Sequence, residues 1–208
     1  MHISEGALAA PVLIAGAALA AAGTAVGLRK VTGEMVPRVG VMAAAFFVAS
    51  LIRVPVGVSS AHLILNGLAG LLLGWAVFPA LLVGLFLQAI LFQFGGLTTL
   101  GVNTTTMALP AVVCYLVFRR LLRRGPTASG LAAFSTGALS VLLAGVLVAA
   151  ALFLSGKVFA NTAVAIVVVH LPVMAIEGTI CVMCVAFLRK VRPELLPGYA
   201  GLEVGHEV

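Results

Sequence analysis

The chain has 208 residues, of which 62% are hydrophobic and 9% are charged, and its formal net charge at pH 7 is +6. Soluble domains carry about 25% charged residues, so this composition excludes a soluble protein and predicts one embedded in a membrane. Nucleic-acid binding is excluded as well, because the basic residues stand in short runs at the ends of apolar segments, where they orient a membrane protein.

The first two residues, Met1 and His2, form a candidate metal chelate. A histidine at position two offers a metal ion three neighbouring nitrogens: the α-amine of Met1, the deprotonated amide nitrogen of His2 and its imidazole. Nitrogen donors in a square plane suit Ni(II) or Cu(II), and the fourth corner must come from elsewhere in the chain. Residues 1–6 hold no Lys or Arg, so this start is not interpreted as a signal peptide.

Seven apolar segments follow, and each is a candidate helix across the bilayer, which takes about 20 residues. The predicted spans are Ala7–Leu28, Pro37–Ile52, Ala61–Phe78, Pro79–Phe94, Val102–Leu122, Ala128–Leu154 and Thr162–Leu188. The predicted fold is therefore an all-α integral membrane protein with about seven transmembrane helices. Residues 1–192 form a single transmembrane metal-binding domain, and residues 193–208 form a short tail in which His206 is expected to be solvated.

The basic residues predict the orientation of these spans. All but two of the twelve, Arg53 and Lys157, fall at the same ends of the spans, and the positive-inside rule places those ends in the cytoplasm. We therefore expect a multi-pass protein of the cell (inner) membrane, with the N-terminus outside and the C-terminus cytoplasmic.

Three regions interrupt the lipid-like pattern, and all three lie at the outer ends of predicted spans: Met1–Gly6, Arg53–Asn66 and Gln93–Thr106. Polar, glycine-rich backbone at membrane depth is tolerated only where protein or water surrounds it. We expect the three regions to fold inward together as one outward-facing pocket. Glu5 is the single acid of the first region.

The second and third regions each hold a polar residue that has two interpretations. His62 is either a metal ligand or a hydrogen-bonded residue at a helix start, and the preceding Ser59 and Ser60 can cap the third span. Asn103 either forms hydrogen bonds with the N-terminal segment or caps the fifth span.

His170 and Glu177 are predicted to lie on one face of the seventh span, because they are seven residues apart. They are either a polar pair that packs helices or support for the metal ligands, since metal-bound histidines usually donate their second N–H to an acceptor. Cys181 and Cys184 are interpreted as small buried apolar residues rather than as a metal site.

The first span carries small residues on nearly every side, among them the stripe Ala17, Ala21 and Ala25. Such a stripe lets another membrane helix approach closely, and it predicts contact with a partner subunit.

Four stretches of the chain, taken in order, resemble one protein family: MHISEG, SSAHLILNGLAGLLLG, FGGLTTLGVNTTTMALP and HLPVMAIEG. They are similar to the substrate-binding membrane component of cobalt and nickel transporters, the CbiM/NikM family of the energy-coupling factor (ECF) class of ATP-driven importers. The resemblance covers nearly the whole chain and implies a seven-helix protein whose N-terminal segment plugs into the bundle. The chain departs from the family's commonest start at Ala7, where an aromatic residue is usual.

The resemblance also implies a metal site that is close to square planar. Its ligands would be the α-amine of Met1, the amide nitrogen and imidazole of His2, and His62, with Asn103 in the surrounding hydrogen-bond network. The further residues expected to support the ligands are His170, Glu177, Ser60 and Glu5.

The function implied is capture of Co(II) or Ni(II), as transported substrate, from the outer side of the membrane. No cofactor is expected, and the chain would not be an enzyme, since separate ATPase subunits would hydrolyse ATP. The other implied partners are a transmembrane coupling protein and a small two-helix accessory membrane protein. Because the ligands are the same for both ions, cobalt and nickel remain alternatives.

Three other functions remain open from the residues. A component of the same architecture that binds a vitamin would need a pocket rich in aromatic residues, whereas the chain has two Tyr and one Trp. An ion-coupled secondary transporter would work without ATPase partners. An intramembrane metalloenzyme would need a general base, for which Glu177 is the one candidate in the interior of a long span.

Overall fold

The computed structural model describes residues 2–51, 53–56, 59–156 and 160–197. Within these residues the chain forms seven α-helices, which are α1 (Ala10–Leu28), α2 (Val36–Ala49), α3 (Asn66–Leu73), α4 (Val77–Phe92), α5 (Leu100–Phe118), α6 (Pro126–Ser155) and α7 (Ala160–Val191). Two short strands, β1 (Arg53–Val56) and β2 (Ser59–His62), pair antiparallel between α2 and α3, with Arg53 opposite His62.

Five helical stretches of the described chain are long and apolar enough to cross a membrane, which agrees with the predicted multi-pass membrane protein. They are Ala10–Leu28, Asn66–Phe92, Leu100–Phe118, Pro126–Ser155 and Val164–Val191. The second of these joins α3 and α4 through a 3₁₀ turn. Since α2 has only 14 residues, the count of seven spans stays a prediction, as does the orientation of the termini.

The third predicted span begins too early. A helix from Ala61, capped by Ser59 or Ser60, is wrong because both serines belong to β2, where they pair with Val56 and Pro55. The chain then turns at Leu65, which has a left-handed backbone (φ 52°), and α3 starts only at Asn66.

The boundary between the third and fourth predicted spans is also displaced. Helix α3 ends at Leu73, and the break falls at the 3₁₀ turn Gly74–Ala76, where Gly74 has φ 56°. Pro79 does not mark the start of a helix there. It lies in the first turn of α4, where a proline removes no intrahelical hydrogen bond.

Helix α5 is the centre of the bundle and packs against α1, α3, α4 and α6. Its buried residues point in nearly every direction, as expected of a helix with neighbours on all sides. The backbones of α1 and α5 approach so closely that a Cβ on Gly16 would stand 2.8 Å from Cα of Val102. Helix α7 packs chiefly along α6 and also contacts β2.

The predicted tail begins with a 3₁₀ turn at Pro193–Leu195, and the next residue, Leu196, is 1% exposed. The start of the tail therefore packs onto the helices instead of extending away from them. Residues 198–208, including His206, lie outside the described residues, as does Lys157.

Candidate metal centre

The N-terminal segment is fixed to the start of α5 through both polar backbone groups of Ile3. The Ile3 N–H donates to Asn103 Oδ1 at 2.9 Å, and the Ile3 carbonyl accepts from Asn103 Nδ2 at 3.2 Å and from Thr99 Oγ1 at 2.9 Å. The Ile3 side chain is fully buried. The residue that follows His2 is therefore anchored by hydrogen bonds and by apolar packing together.

A second attachment lies two residues further along, at Glu5. Its N–H donates to the Gly95 carbonyl at 3.2 Å, and its Oε1 accepts from the N–H of Thr98 at 3.1 Å. Gly96, with φ 145°, leaves the space that the Glu5 side chain occupies, since a Cβ there would come within 1.9 Å of Glu5 Cγ. Glu5 thus contacts the loop before α5 and attaches the N-terminal segment to that loop.

The segment brings His2 against His62, which lies at the end of β2. The two side chains are 2% and 3% exposed, their ring centroids are 4.5 Å apart, and the ring planes differ by 19°. Two imidazoles bound side by side to one metal ion through nitrogens at about 2.0–2.1 Å would have ring centres roughly 4.4 Å apart. The observed separation is close to that value, whereas the small angle between the ring planes is that of stacked imidazoles, so one ring would have to rotate for both nitrogens to point at a shared ion.

His62 has the protonation state that a metal ligand needs. Its Nδ1 lies 2.7 Å from the Leu63 carbonyl oxygen, which can only accept, so Nδ1 carries the proton and Nε2 keeps its lone pair. Burial, the largest cause, lowers the pKa of His62 well below its usual range. The imidazole is consequently neutral at pH 7.

Side chains alone do not complete a metal site in the part of the chain that the structure describes, because no three His, Cys, Asp or Glu residues come together there. A site centred on His2 and His62 would therefore need backbone nitrogens, as the predicted chelate does. The α-amine of Met1 lies outside the described residues, and its participation remains a prediction.

His170 and Glu177 do not form a pair with each other. His170 is 1% exposed and donates from Nδ1 to the Ile166 carbonyl one turn earlier at 2.6 Å. Its buried Nε2 has no hydrogen-bond partner among the described residues. Glu177 instead accepts from the backbone N–H groups of Ile64 and Leu65, at 2.5 and 2.8 Å. These two residues lie between the β-hairpin, which ends at His62, and α3.

Sequence reasoning missed Thr98 and Thr99 and the glycine turn before them. Their signal was present in the stretch FGGLTT, where two glycines and two threonines precede a helix. The use of Glu177 has no comparable local signal, because its partners lie 113 and 112 residues away. Cys181 is buried, as predicted, whereas Cys184 is only partly buried, and both are free cysteines.

Comparisons with known proteins give a consistent result. Residues 2–195 match the profile of the family described as "Cobalt uptake substrate-specific transmembrane region", CbiM. A putative metal transport protein of Haemophilus influenzae is 47% identical over 94% of this chain and 97% of its own length. The cobalt transport protein CbiM of Sorangium cellulosum is 36% identical over 77% of this chain and 76% of its own.

The fold matches a solved structure as well. The crystal structure of a transition metal transporter superposes with a TM-score of 0.72 and 25% identity over 92% of this chain and 93% of that one. Longer relatives join a similar region to another component, as in the putative fused nickel transport protein NikMN of Archaeoglobus fulgidus, at 34% identity over 79% of this chain. The putative fused cobalt transport protein CbiMQ of Methanocorpusculum labreanum, at 28% identity over 94% of this chain, is another.

Proposed function

This chain belongs to the family of cobalt uptake substrate-specific transmembrane regions, and we propose that it captures Co(II) or Ni(II) from the outer side of the membrane for an ATP-driven importer of the ECF class. The metal ion is the transported substrate. The chain is a transport component, and hydrolysis of ATP falls to separate subunits.

The observation that carries this proposal is the placement of His2 against His62 inside the bundle. A terminal segment that only covered the bundle would not need six hydrogen bonds to join Ile3 and Glu5 to the residues before and within α5. Each such bond contributes about 1 kcal/mol. The segment is thus held in one position before a metal arrives, which reduces the entropy lost on binding.

Four nitrogens complete the proposed site: the Met1 amine, the His2 amide and imidazole, and His62 Nε2. Ni(II) accepts a square plane of nitrogens readily, whereas Zn(II) prefers a tetrahedron. Selection against Zn(II) therefore comes from the shape of the site. Because the amide nitrogen binds only after losing its proton, capture releases protons and weakens at acid pH.

Partners would be a transmembrane coupling protein, ATPase subunits and a small two-helix accessory membrane protein. The exposed stripe of Ala17, Ala21 and Ala25 along α1 supports a helix–helix contact with one of them, since small side chains let a second helix approach. The fused relatives, in which a similar region is one part of a longer transport protein, agree with work in a multi-component transporter.

The proposal is tested first by titration of the purified protein, with its native N-terminus, with Ni(II), Co(II) and Zn(II). We expect tight binding of Ni(II) and Co(II), the absorption band of a square-planar nitrogen site for Ni(II), and much weaker binding of Zn(II). Equal binding of all three ions, or none, would contradict it.

The second test is uptake of radioactive nickel or cobalt by cells that express the chain with its partner subunits. The matched control carries an ATPase subunit whose phosphate-loop lysine has been replaced. Uptake should require both the chain and an active ATPase. Uptake that persists with the inactive ATPase would instead favour a secondary transporter.

A further inference from the structure

Glu177 of α7 is fully buried and directs its carboxylate at the end of the β-hairpin. Its Oε1 accepts from the N–H of Ile64 at 2.5 Å and from the N–H of Leu65 at 2.8 Å, and its Oε2 accepts from the same Leu65 N–H at 3.0 Å. A carboxylate with two backbone donors fits the ionised form, which only accepts hydrogen bonds.

One of these donors belongs to the peptide group that also contacts His62. The Leu63 carbonyl, which accepts from His62 Nδ1 at 2.7 Å, and the Ile64 N–H, which donates to Glu177, are two ends of the same peptide group. The imidazole, the Leu63–Ile64 peptide group and the carboxylate therefore form a continuous chain of hydrogen bonds from His62 to α7.

Hydrogen bonds in series strengthen one another, because each polarises the next. The negative charge of Glu177 draws the Ile64 proton, makes the Leu63 oxygen a stronger acceptor, and so increases electron density at His62 Nε2. Metal-bound histidines commonly donate their second N–H to a carboxylate or a backbone carbonyl, which orients the ring and raises its basicity. In this protein, the Leu63 carbonyl and the Glu177 carboxylate act in series on His62.

We propose that Glu177 is a positioning residue for the metal ligand His62 and acts through the Leu63–Ile64 peptide group. This inference rests on the proposed function, because it assigns Glu177 a part in metal capture. The inference does not extend to His170, because its only described hydrogen bond is to the Ile166 carbonyl of its own helix.

Close backbone approaches fix the position of the Glu177 backbone. A Cβ on Gly137 of α6 would stand 2.6 Å from the carbonyl oxygen of Glu177, and a Cβ on Gly67 of α3 would stand 2.8 Å from the Thr136 carbonyl oxygen. Helix α6 therefore meets α7 and α3 at small residues. The backbone of Glu177 has no room to withdraw toward α6.

The experiment compares Glu177→Gln with Glu34→Gln, which removes the same charge from an exposed 3₁₀ turn. Glu177→Gln should weaken Ni(II) binding by about ten- to a hundredfold and should move the Ni(II) absorption band to lower energy, because the His62 nitrogen becomes a weaker donor. Glu34→Gln should change neither. A folded Glu177→Gln protein with the wild-type affinity and band would overturn the inference.

The wild-type protein and His62→Ala, measured in the same titrations, separate the two proposals. If the wild type binds Ni(II) tightly and His62→Ala does not, the proposed function stands, whatever Glu177→Gln does. If the wild type fails to bind, the proposed function fails, and the inference falls with it.

A measurement on the wild type keeps the inference testable if Glu177→Gln does not fold. In protein labelled with ¹⁵N-isoleucine, the Ile64 amide signal is assigned by its loss in Ile64→Val. We expect this amide proton far downfield in the metal-free protein and shifted again when diamagnetic Ni(II) binds. A Glu177 that only stabilised the helix would leave the signal unmoved by the metal, and that result would overturn the inference.

Discussion

Asn103 and Ile3 are joined by two hydrogen bonds that run in opposite directions, with the Ile3 N–H donating to Oδ1 at 2.9 Å and Nδ2 donating to the Ile3 carbonyl at 3.2 Å. The side-chain amide of Asn103 thus pairs with the Ile3 backbone as the peptide groups of a neighbouring β-strand would. This pairing fixes the direction of the chain next to His2. In the proposed metal site, Asn103 would position His2 through Ile3 rather than bind the metal itself.

Asn103→Ala should weaken metal binding because both bonds to Ile3 are lost. Two hydrogen bonds at about 1 kcal/mol each correspond to roughly a thirtyfold loss of affinity. Calorimetry with Ni(II) measures the effect. Thr104→Ala is the matched control, since the Thr104 hydroxyl bonds, among the described residues, to the Leu100 carbonyl of its own helix alone, and its affinity should remain near that of the wild type. Equal losses in both variants would argue against this role of Asn103.

Acetylation of the Met1 amine leaves every side chain in place but removes the amine as a metal ligand. The chelate ring that the amine closes with the His2 amide is then lost. Affinity for Ni(II) should fall by more than about a hundredfold, since even residues that merely support metal ligands are worth ten- to a hundredfold. The same protein with a free amine is the control. An unchanged affinity and absorption band in the acetylated protein would contradict the proposed amine–amide chelate.

His62→Ala removes the proposed fourth nitrogen, and binding of Ni(II) and Co(II) should become too weak to measure by calorimetry in the micromolar range. His206→Ala, a histidine of the tail, serves as the control. Gel filtration of both variants shows whether the fold is retained. Normal binding by a folded His62→Ala protein would remove His62 from the ligand set.

Gly96→Ala should displace the N-terminal segment. The new Cβ would stand 1.9 Å from Glu5 Cγ, and φ 145° is strained for any residue with a side chain. Metal affinity and thermal stability should both decrease. Gly130→Ala, whose Cβ would meet open space, is the control.

The double variant Glu5→Ala with Gly96→Ala removes the overlap but not the backbone strain. It should therefore recover part of the lost thermal stability. A double variant no more stable than Gly96→Ala alone would show that the Glu5 contact is not the source of the loss.

Metal affinity should fall steeply between pH 8 and pH 6. Each proton released on binding costs about tenfold in affinity per pH unit, and the α-amine, with an ordinary pKa of about 7.7–8.0, and the His2 amide both release one. His62 adds none in this range, because burial lowers its pKa and the imidazole is already neutral. Calorimetry in buffers of different ionisation heat counts the protons. An affinity that does not change over this range would contradict binding through the deprotonated amide.

The lowered pKa of His62 also affects the stability of the metal-free protein. An unfolded chain takes up a proton at His62 below about pH 6.5, whereas the folded chain does not. The contribution of this residue is thus complete above pH 6.5 and is lost as the pH falls toward the lower pKa of the folded state. The measurement is the free energy of unfolding as a function of pH, with His62→Gln as the reference.

The apolar segments of the sequence predicted most of the fold. Four of the five long helical stretches of the described chain correspond to single predicted spans within a few residues, because a run of apolar residues of this length admits few other structures in a membrane. The fifth, Asn66–Phe92, covers two of the predicted spans. The hairpin before α3 was missed, since its short strands lie in a stretch where Val54 and Val56 give only a weak signal next to Pro55. The break at Gly74 was misplaced at Pro79 for a different reason, because a proline in the first turn of a helix does not interrupt it.

The candidate site could be predicted in part. His2 and His62 followed from chelate chemistry and from the family resemblance, and the N-terminal chelate through Met1 remains to be tested. The partners of Glu177 could not be predicted, because a carboxylate in a helix gives no indication of which distant backbone amides it will meet. Nor did spacing predict Thr99, whose hydroxyl binds a carbonyl 96 residues away.

The left-handed turn at Leu65 has a consequence for how the protein is made. Leucine has no preference for this conformation, and the N–H of Leu65 is held by Glu177 of the last long helix. A ribosome produces the chain from the N-terminus, so the hairpin and His62 leave it long before α7 does. The contact that fixes the chain after His62 can therefore form only once α7 has entered the membrane. We expect nascent chains that end before α7 to be unable to retain a metal ion.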